Sequence, residues 1–310
     1  RKAINPGDVT KKNIMEVLPF GNTGVPLYIT GAELLEALEA STYCTPDAIG
    51  GFPQVSGINY TISTAVAYDA NAETYPASTY YGPKSINRVT INSINGKEFK
   101  ADDTYAVITN DFCGGGGDTY YAFAAATAKF DTGIPLDEVV MEYITAELKG
   151  VIGKQYAEPQ GRILMNPFAD VKASSWFGKY VIDLYNDGII NGTSATTYDP
   201  SASLTWGAAL KLLLVSSGDL KAEDATGADW LKNTMAKAVE LGIAPEDADG
   251  KALITRLAFC QTAAKLNKLA ESKTESPFTD CTDGYVMALV DAKVINGMTE
   301  TTFEPSATLT

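Results

Sequence analysis

An internal repeat is the feature that most constrains how this chain can fold. Residues 189–205 read IINGTSATTYDPSASLT, residues 294–310 read VINGMTETTFEPSATLT, and ten of the seventeen positions are identical. The segments lie 105 residues apart, which is too long for one helical repeat and about right for two. A weaker middle copy is therefore expected halfway, where Leu241-Gly242-Ile243 matches Asp187-Gly188-Ile189. The predicted copies span about residues 166–217, 218–271 and 272–310.

Length and charge limit the classes of protein. The 310 residues suffice for about two domains, and the net charge is −14. A chain this acidic repels phosphates, so binding to a nucleic-acid backbone is not expected. No apolar run approaches the roughly 18 residues that span a bilayer, and no signal-peptide pattern opens the chain, so no membrane span is expected. Because Arg1 begins mid-sequence and the third copy stops at Thr310, we expect a fragment of a longer protein.

Histidine is absent and cysteine is sparse. The lack of histidine excludes His-based acid–base catalysis and argues against a catalytic transition-metal site within these residues. The four cysteines form no C-x-x-C pair, which argues against a zinc knuckle. Two cysteines in each half are compatible with one disulfide per half in an exported protein, and equally with four free thiols. They are Cys44, Cys113, Cys260 and Cys281.

The local patterns change near residue 165. Before it, strand and helix signals mix: Thr30 and Glu33 have capping-box spacing, and Asn95-Gly96 ends an alternating run as in a tight hairpin. After it, the sequence is helical. We predict an α/β module with a mixed sheet at residues 1–165 and an all-α module of three repeats at residues 166–310. The predicted strands cover 25–29, 57–63, 88–94 and 104–109, the predicted helices include 136–148, 176–186, 206–214, 230–241, 255–269 and 283–292, and 70–84 is predicted to be an irregular loop.

The order of motifs in the repeat is that of a known family. The first copy has Phe168-Ala169-Asp170, Trp176, Gly188–Gly192 and Tyr198-Asp199-Pro200, and the third copy repeats the pattern up to Phe303-Glu304-Pro305. This order resembles the S-layer homology (SLH) repeat. The resemblance implies a three-pronged helical domain that binds anionic, often pyruvylated, polysaccharide in grooves between its prongs. It also implies an extracellular location, on the cell wall or S-layer of a Gram-positive-type bacterium.

One arginine is the candidate for the polysaccharide. The helix that follows each turn usually begins Thr-Arg in SLH repeats, and the middle copy keeps Thr255-Arg256, whereas the first has Thr205-Trp206. A guanidinium at a helix start suits a sugar carboxylate because it can donate two parallel hydrogen bonds. The alternative for Arg256 is a solvated charge at a helix end. Trp176 and Trp230 are expected to pack in the core rather than to stack on sugars.

Two segments of the N-terminal module carry aromatic and polar side chains near glycines. Phe20 and Asn22 lie two residues apart at a helix-to-strand corner, where both can project into a cleft. Phe112 ends a strand, the Gly114–Gly117 run lets the backbone approach a ligand, and Asp118 can accept hydrogen bonds from a polar ring or a sugar. Taken singly, each segment is also compatible with ordinary loop packing.

Together and in this order, the segments resemble the C-terminal domain of the 5′-nucleotidase family, which includes UDP-sugar hydrolases and 2′,3′-cyclic-nucleotide phosphodiesterases. The resemblance covers roughly residues 1–165. It implies that two aromatic rings sandwich the nucleobase of a nucleotide or nucleoside, with polar groups beside them and an arginine on the phosphate. The matching positions are Phe20 and Phe112 for the rings, Asn22 and Asp118 for the polar groups, Gly50 near the ribose and Arg1 for the phosphate.

The family hydrolyses phosphoesters with two divalent metal ions held on an upstream domain, partly by histidines. Because this chain has no histidine, the resemblance implies that it contains neither catalytic residues nor metal ligands. The leading hypothesis is the substrate-binding and wall-anchoring part of a cell-surface 5′-nucleotidase. The alternative is a non-catalytic envelope protein of structural role, whose nucleotidase-like module has lost ligand binding.

Overall fold

A computed structural model describes residues 3–66, 86–157 and 159–310. The chain divides into two compact units, Arg1–Asn186 and Asp187–Thr310. The first unit therefore extends past residue 165 and includes the first helix of the repeat region. The predicted domain boundary at residue 165 stays a prediction. The predicted loop at residues 70–84 and the predicted phosphate-binding Arg1 lie outside the described residues.

One three-stranded sheet of the first unit has the order β4-β1-β5. Strand β1 (Gly24–Thr30) pairs antiparallel with β4 (Thr104–Asn110) along its whole length, and β5 (Ala128–Lys129) pairs with its other edge. Alternate residues of β1 point into the core, since Val25, Leu27 and Ile29 are almost fully buried. Both long strands were predicted from the sequence.

The second sheet has the order β3-β2-β6. Strands β2 (Ile58–Ser63) and β3 (Val89–Ile94) pair antiparallel, whereas β6 (Ile163–Asn166), which the sequence patterns did not predict, runs parallel to β2. The turn after β3 has φ of 50° at Asn95 and 74° at Gly96. This conformation is the one for which Asn-Gly is favoured, so the predicted turn is confirmed.

Helices cover these sheets. Helix α2 (Gly31–Ser41) begins with the predicted capping box, because the Thr30 hydroxyl accepts from the Glu33 N–H and the Glu33 carboxylate accepts from the Thr30 N–H. Its inner face joins the core cluster beside β1 and β2. The remaining helices of this unit are α1 (Lys11–Val17), α3 (Asp111–Gly114), α4 (Leu136–Glu142) and α5 (Gly178–Asn186), with a π-helical continuation of α4 at Tyr143–Glu147 and 3₁₀ turns at Tyr121–Ala125 and Lys154–Tyr156.

A buried ionic network joins α2 to β3. The Glu39 carboxylate, 2% exposed, accepts from the backbone N–H groups of Arg88 and Val89 at 3.0 Å each. The guanidinium of Arg88, a residue 4% exposed, donates to the carbonyl oxygens of Tyr43 (2.8 Å) and Thr45 (2.7 Å) after the end of α2. Burial raises the pKa of the Glu39 carboxyl, and the hydrogen bonds oppose that rise. The network thus provides hydrogen-bond partners for polar groups that burial would otherwise leave unpaired.

The second unit consists of helices joined by turns and backbone bridges. The helices are α6 (Trp206–Ser217), α7 (Trp230–Glu240), α8 (Arg256–Leu266) and α9 (Gly284–Asp291). Helix α6 packs on α7 and α8 packs on α9, so each pair joins one copy to the next. Isolated β-bridges connect the segments before α6 and α8, and the all-α description of this module therefore stays a prediction.

The three copies meet in a ring of backbone hydrogen bonds. The N–H of Trp206 donates to the carbonyl of Ala252 (2.9 Å), and that of Arg256 donates to the carbonyl of Ala307 (2.8 Å). The N–H of Leu204 closes the ring on the carbonyl of Leu309 (2.7 Å). Three short extended segments, one from each predicted copy, thus meet at these hydrogen bonds, and the division into three copies stays a prediction. Matched positions also share a rare conformation, since Asp199 and Glu304 both have φ of 61°.

The two tryptophans that were predicted to pack in the core, Trp176 and Trp230, differ in their exposure. The prediction that Trp176 packs in the core is wrong: it is 86% exposed and touches Phe177 edge-on. Helix α5 begins only at Gly178, so Trp176 precedes the helix. The buried face of the helix is formed by residues that follow Trp176 in the sequence. Trp230 is partly buried, and the Lys211 ammonium lies 5.8 Å from its ring centroid.

All four cysteines are free thiols, which is one of the two alternatives that the sequence left open. Cys260 and Cys281 are buried in the same core cluster, and burial raises the pKa of each thiol. Among the helices of the described ranges, none combines the length and the apolar character that crossing a bilayer requires.

Candidate functional site

A cavity of about 1340 Å³ lies beside strand β4 in the first unit. Three separate segments supply its predicted site residues: the corner before β1, the loop after α2, and the turn after β4. The structure brings together the five predicted residues that it describes in this unit, since all of them line this one cavity. They are Phe20, Asn22, Gly50, Phe112 and Asp118.

The two aromatic side chains are available for contact. Phe20 is 74% exposed and Phe112 is 48% exposed, so neither ring is buried in the core. The ring of Phe112 rests against Gly117, where an added Cβ would lie 2.6–2.7 Å from three ring carbons. Gly117 therefore makes room for the aromatic ring. We had expected the glycine run to admit a ligand to the backbone, and at this position it admits a side chain of the protein.

The turn that carries Phe112 is capped by the residue before it. The Asn110 side-chain oxygen accepts from the Cys113 N–H at 2.8 Å and starts the short helix α3. This arrangement places Phe112 at the second position of the helix, directly after β4. Asn110 also lines the cavity and was missed by the sequence interpretation, although an asparagine directly after a strand is a recognisable N-cap candidate.

A side-chain hydrogen bond ties the two aromatic segments together. Asn22 Nδ2 donates to Asp111 Oδ1 at 2.7 Å, and the Thr23 N–H donates to the same oxygen at 3.2 Å. The Asp111 N–H in turn donates to the Thr23 carbonyl at 3.0 Å. The corner that carries Phe20 is thereby linked to the turn that carries Phe112. Sequence reasoning missed Asp111, because no local pattern pairs residues that are 89 positions apart.

Asp118 holds an uncommon backbone conformation at the cavity wall. Its φ is 51°, a value that non-glycine residues adopt rarely and that concentrates at functional positions. Partial burial raises the pKa of its carboxyl. Across from it, the Tyr120 hydroxyl donates to the Gly51 carbonyl at 2.7 Å and holds the loop after α2 in place. Gly50 belongs to that loop, which explains how a distant segment reaches this site.

The cavity has few charged groups. None of the described residues that line it is a lysine or an arginine, and Asp118 is its one carboxylate. Aromatic and aliphatic side chains alternate with amide and hydroxyl groups around the wall. Such a cavity suits a flat, uncharged ring system with hydrogen-bond donors better than it suits a phosphate group.

The comparisons with known proteins agree with this geometry. Residues 1–125 match the family model "5′-nucleotidase, C-terminal domain", and residues 167–207 and 280–310 match the model "S-layer homology domain". The chain contains a 5′-nucleotidase C-terminal domain followed by SLH domains. The matched SLH segments are the first and third copies, which are also the two most similar to each other.

Each of the individual relatives resembles one part of the chain. The chain is 35% identical over 165 residues to the trifunctional nucleotide phosphoesterase YfkN of Bacillus subtilis, covering 53% of this chain and 10% of that protein. It is 31% identical over 126 residues to a cell wall protein of Listeria monocytogenes, covering 41% of this chain and 14% of the relative. A 5′-nucleotidase precursor structure from Thermus thermophilus is 32% identical, with a TM-score of 0.40, covering 51% of this chain and 28% of that one. The chain thus spans only a small part of its relatives.

In the SLH module, Arg256 lies where the middle and third copies meet. Its Nη2 donates to the Asn296 carbonyl at 2.8 Å, and its guanidinium carbon lies 4.6 Å from the centroid of the Phe303 ring. Its Nε is buried without a hydrogen-bond partner among the described residues. Arg256 therefore contacts the third predicted copy. Its role toward a polysaccharide stays a prediction.

Within residues 3–66, 86–157 and 159–310, no group of three or more His, Cys, Asp or Glu side chains is arranged to hold a metal ion.

Proposed function

We propose that this chain is the substrate-binding and wall-anchoring part of a cell-surface 5′-nucleotidase. The base of a nucleotide or nucleoside stacks between Phe20 and Phe112, and Asn22 and Asp118 hydrogen-bond to it or to its sugar. The observation that carries this proposal is the cavity itself, because it gathers all four side chains from distant segments while leaving both rings exposed. Similarity to a nucleotide phosphoesterase supports the choice of ligand.

The side chains that line the cavity indicate which part of a nucleotide this chain binds. Each base–aromatic stack contributes roughly 1–3 kcal/mol. We propose that the phosphate is bound outside this cavity, whose described lining includes neither lysine nor arginine. The hydrolytic step belongs to a domain outside this chain, where two divalent metal ions would polarise the phosphate and activate water. This chain's contribution is to hold the nucleoside and to exclude water from its faces.

The proposal is tested by titrating the whole chain with adenosine in a calorimeter. Two stacks must first offset the entropy of association, so the expected dissociation constant is weak, on the order of 0.1–1 mM. Ribose 5-phosphate, which lacks a base, is the control and should give no saturable heat. The alternative, an envelope protein of structural role with a degenerate domain, predicts that adenosine gives none either.

The SLH domains are proposed to bind anionic cell-wall polysaccharide and so to hold the protein outside the cell. Similarity to a cell wall protein of Listeria monocytogenes supports a surface location. The junction between the middle and third copies is the favoured site, because Arg256 is placed there with a buried Nε that has no partner among the described residues.

Replacing Arg256 should weaken attachment to purified cell wall. A charge-assisted bidentate contact contributes roughly 1.5–3 kcal/mol, so Arg256→Ala is expected to lower wall affinity by about ten-fold or more in a pelleting assay. Arg256→Lys should restore little, because an ammonium lacks the planar fork. Circular dichroism of both variants checks that the module remains folded, and Arg162→Ala is the control in the first unit. Unchanged pelleting of folded Arg256→Ala would place the site elsewhere.

Adenosine binding should depend on pH through Asp118. Burial raises the pKa of this carboxyl, so it takes up its proton at a higher pH than an ordinary aspartate as the solution is acidified. The protonated form accepts hydrogen bonds less well, so on acidification the affinity should fall in a range that begins above about pH 4, where an ordinary aspartate titrates. Titrations across this range measure the effect. Asp118→Asn should bind more weakly and independently of pH; a variant that keeps the wild-type pH profile would contradict the assignment.

A further inference from the structure

Asp111 does not line the cavity, yet it contacts a residue that does. Its carboxylate accepts from Asn22 Nδ2 at 2.7 Å and from the Thr23 N–H at 3.2 Å. Asn22 faces the cavity, whereas Asp111 is absent from the lining. The amide nitrogen of Asn22 is thus drawn toward a carboxylate behind the cavity wall.

This contact decides which way the Asn22 amide is turned. A carboxylate accepts hydrogen bonds and donates none, so it can pair only with the amide nitrogen and not with the amide oxygen. The flipped amide would place Asn22 Oδ1 against Asp111 Oδ1, with two acceptors in contact and no proton between them. In the observed orientation Asn22 Oδ1 has no hydrogen-bond partner among the described residues. It is therefore available as an acceptor beside the aromatic rings.

From this geometry we infer that Asp111 is a positioning residue that makes the site selective for bases carrying an amino group. The inference rests on the proposed function. The two polar side chains that are proposed to contact the ligand then both present acceptors, the side-chain oxygen of Asn22 and the carboxylate of Asp118. An exocyclic amine supplies a donor to these acceptors, whereas an otherwise identical ring without the amine leaves the Asn22 side-chain oxygen unpaired. Stacking on Phe20 and Phe112 is indifferent to this choice, because every base has two faces.

The test compares two ligands that differ in one group. Adenosine and purine riboside share the same ring and sugar, and only adenosine has the 6-amino group. The whole chain is titrated with each by calorimetry, and the ratio of the two affinities is the readout. One hydrogen bond of this kind predicts that the wild type binds adenosine about three- to ten-fold more tightly than purine riboside. In Asp111→Asn the ratio should fall close to one, while the affinity for purine riboside stays within about two-fold of the wild type.

Asp111→Asn suits the test because asparagine can pair with either orientation of the Asn22 amide and keeps the backbone contact with Thr23. Asp102→Asn, at an exposed turn of the same unit, is the matched control and should keep the wild-type ratio. If Asp111 merely holds the loop, both ligands lose affinity together and the ratio is unchanged, which overturns the inference. A wild type that binds both ligands equally overturns it while the proposed function stands. A wild type that binds neither overturns the proposed function as well.

Discussion

Phe112→Ala is expected to weaken adenosine binding by about 5- to 100-fold, the largest loss of affinity that a single substitution in this cavity should cause. The ring is half-exposed at the cavity wall, and removing it deletes one of two stacking faces worth roughly 1–3 kcal/mol. Phe112→Tyr should keep most of the affinity, because the face of the ring is retained. Calorimetric titration of the two variants and the wild type measures the difference.

The control for Phe112 is another exposed phenylalanine of the same unit. Phe130 is 67% exposed and does not line the cavity, so Phe130→Ala should leave adenosine binding unchanged. Gly117→Ala should also weaken binding, since the new methyl group would lie 2.6–2.7 Å from atoms of the Phe112 ring and displace it. If Phe112→Ala binds adenosine as well as Phe130→Ala does, the stacking proposal is wrong.

Arg88→Ala should cost about 3–5 kcal/mol in the free energy of unfolding of the first unit. The substitution leaves the Tyr43 and Thr45 carbonyls without their donor and removes a positive charge near Glu39, while the backbone N–H groups of residues 88 and 89 still donate to that carboxylate. Urea denaturation followed by circular dichroism measures the loss. Arg162→Ala serves as the matched control, since its guanidinium donates to Gln160 at an exposed position.

The stability cost of Arg162→Ala is the reference with which the cost of Arg88→Ala is compared. Arg162→Ala should cost no more than about 1 kcal/mol, as exposed polar contacts typically do. A cost for Arg88→Ala that lies within error of this value would show that the network is dispensable. Arg88→Met, which fills much of the same volume, separates the loss of the guanidinium from the loss of packing. It should recover only part of the stability, because the Tyr43 and Thr45 carbonyls still lack their donor.

Several features of the fold could be predicted because their cause is local. The Thr30–Glu33 capping box and the Asn95-Gly96 turn depend on residues within four positions of each other, and the structure shows both. The repetition of the first copy in the third was also visible, and the matched residues Asp199 and Glu304 adopt the same φ of 61°.

The candidate site could be predicted only through the resemblance to the 5′-nucleotidase C-terminal domain, and only for residues that match its motifs. Phe20 and Phe112 come from segments that no periodicity connects, and the family motif is what paired them; the structure then placed both on one cavity. Motifs name the residues that face the ligand. They leave out Asp111, which lies behind the wall and acts through Asn22.

What only the tertiary structure decided are contacts between residues far apart in the chain. The sequence determined where most elements begin and end, that the C-terminal part is built of repeats, and which residues are candidates for the site. It did not determine that Trp176 is 86% exposed, that Arg88 lies buried beside Glu39, or that Asn22 pairs with Asp111 across 89 positions. Capping and turn preferences act over a few residues. Burial and pairing at longer separation depend on how whole elements pack, and that packing leaves no local mark in the sequence.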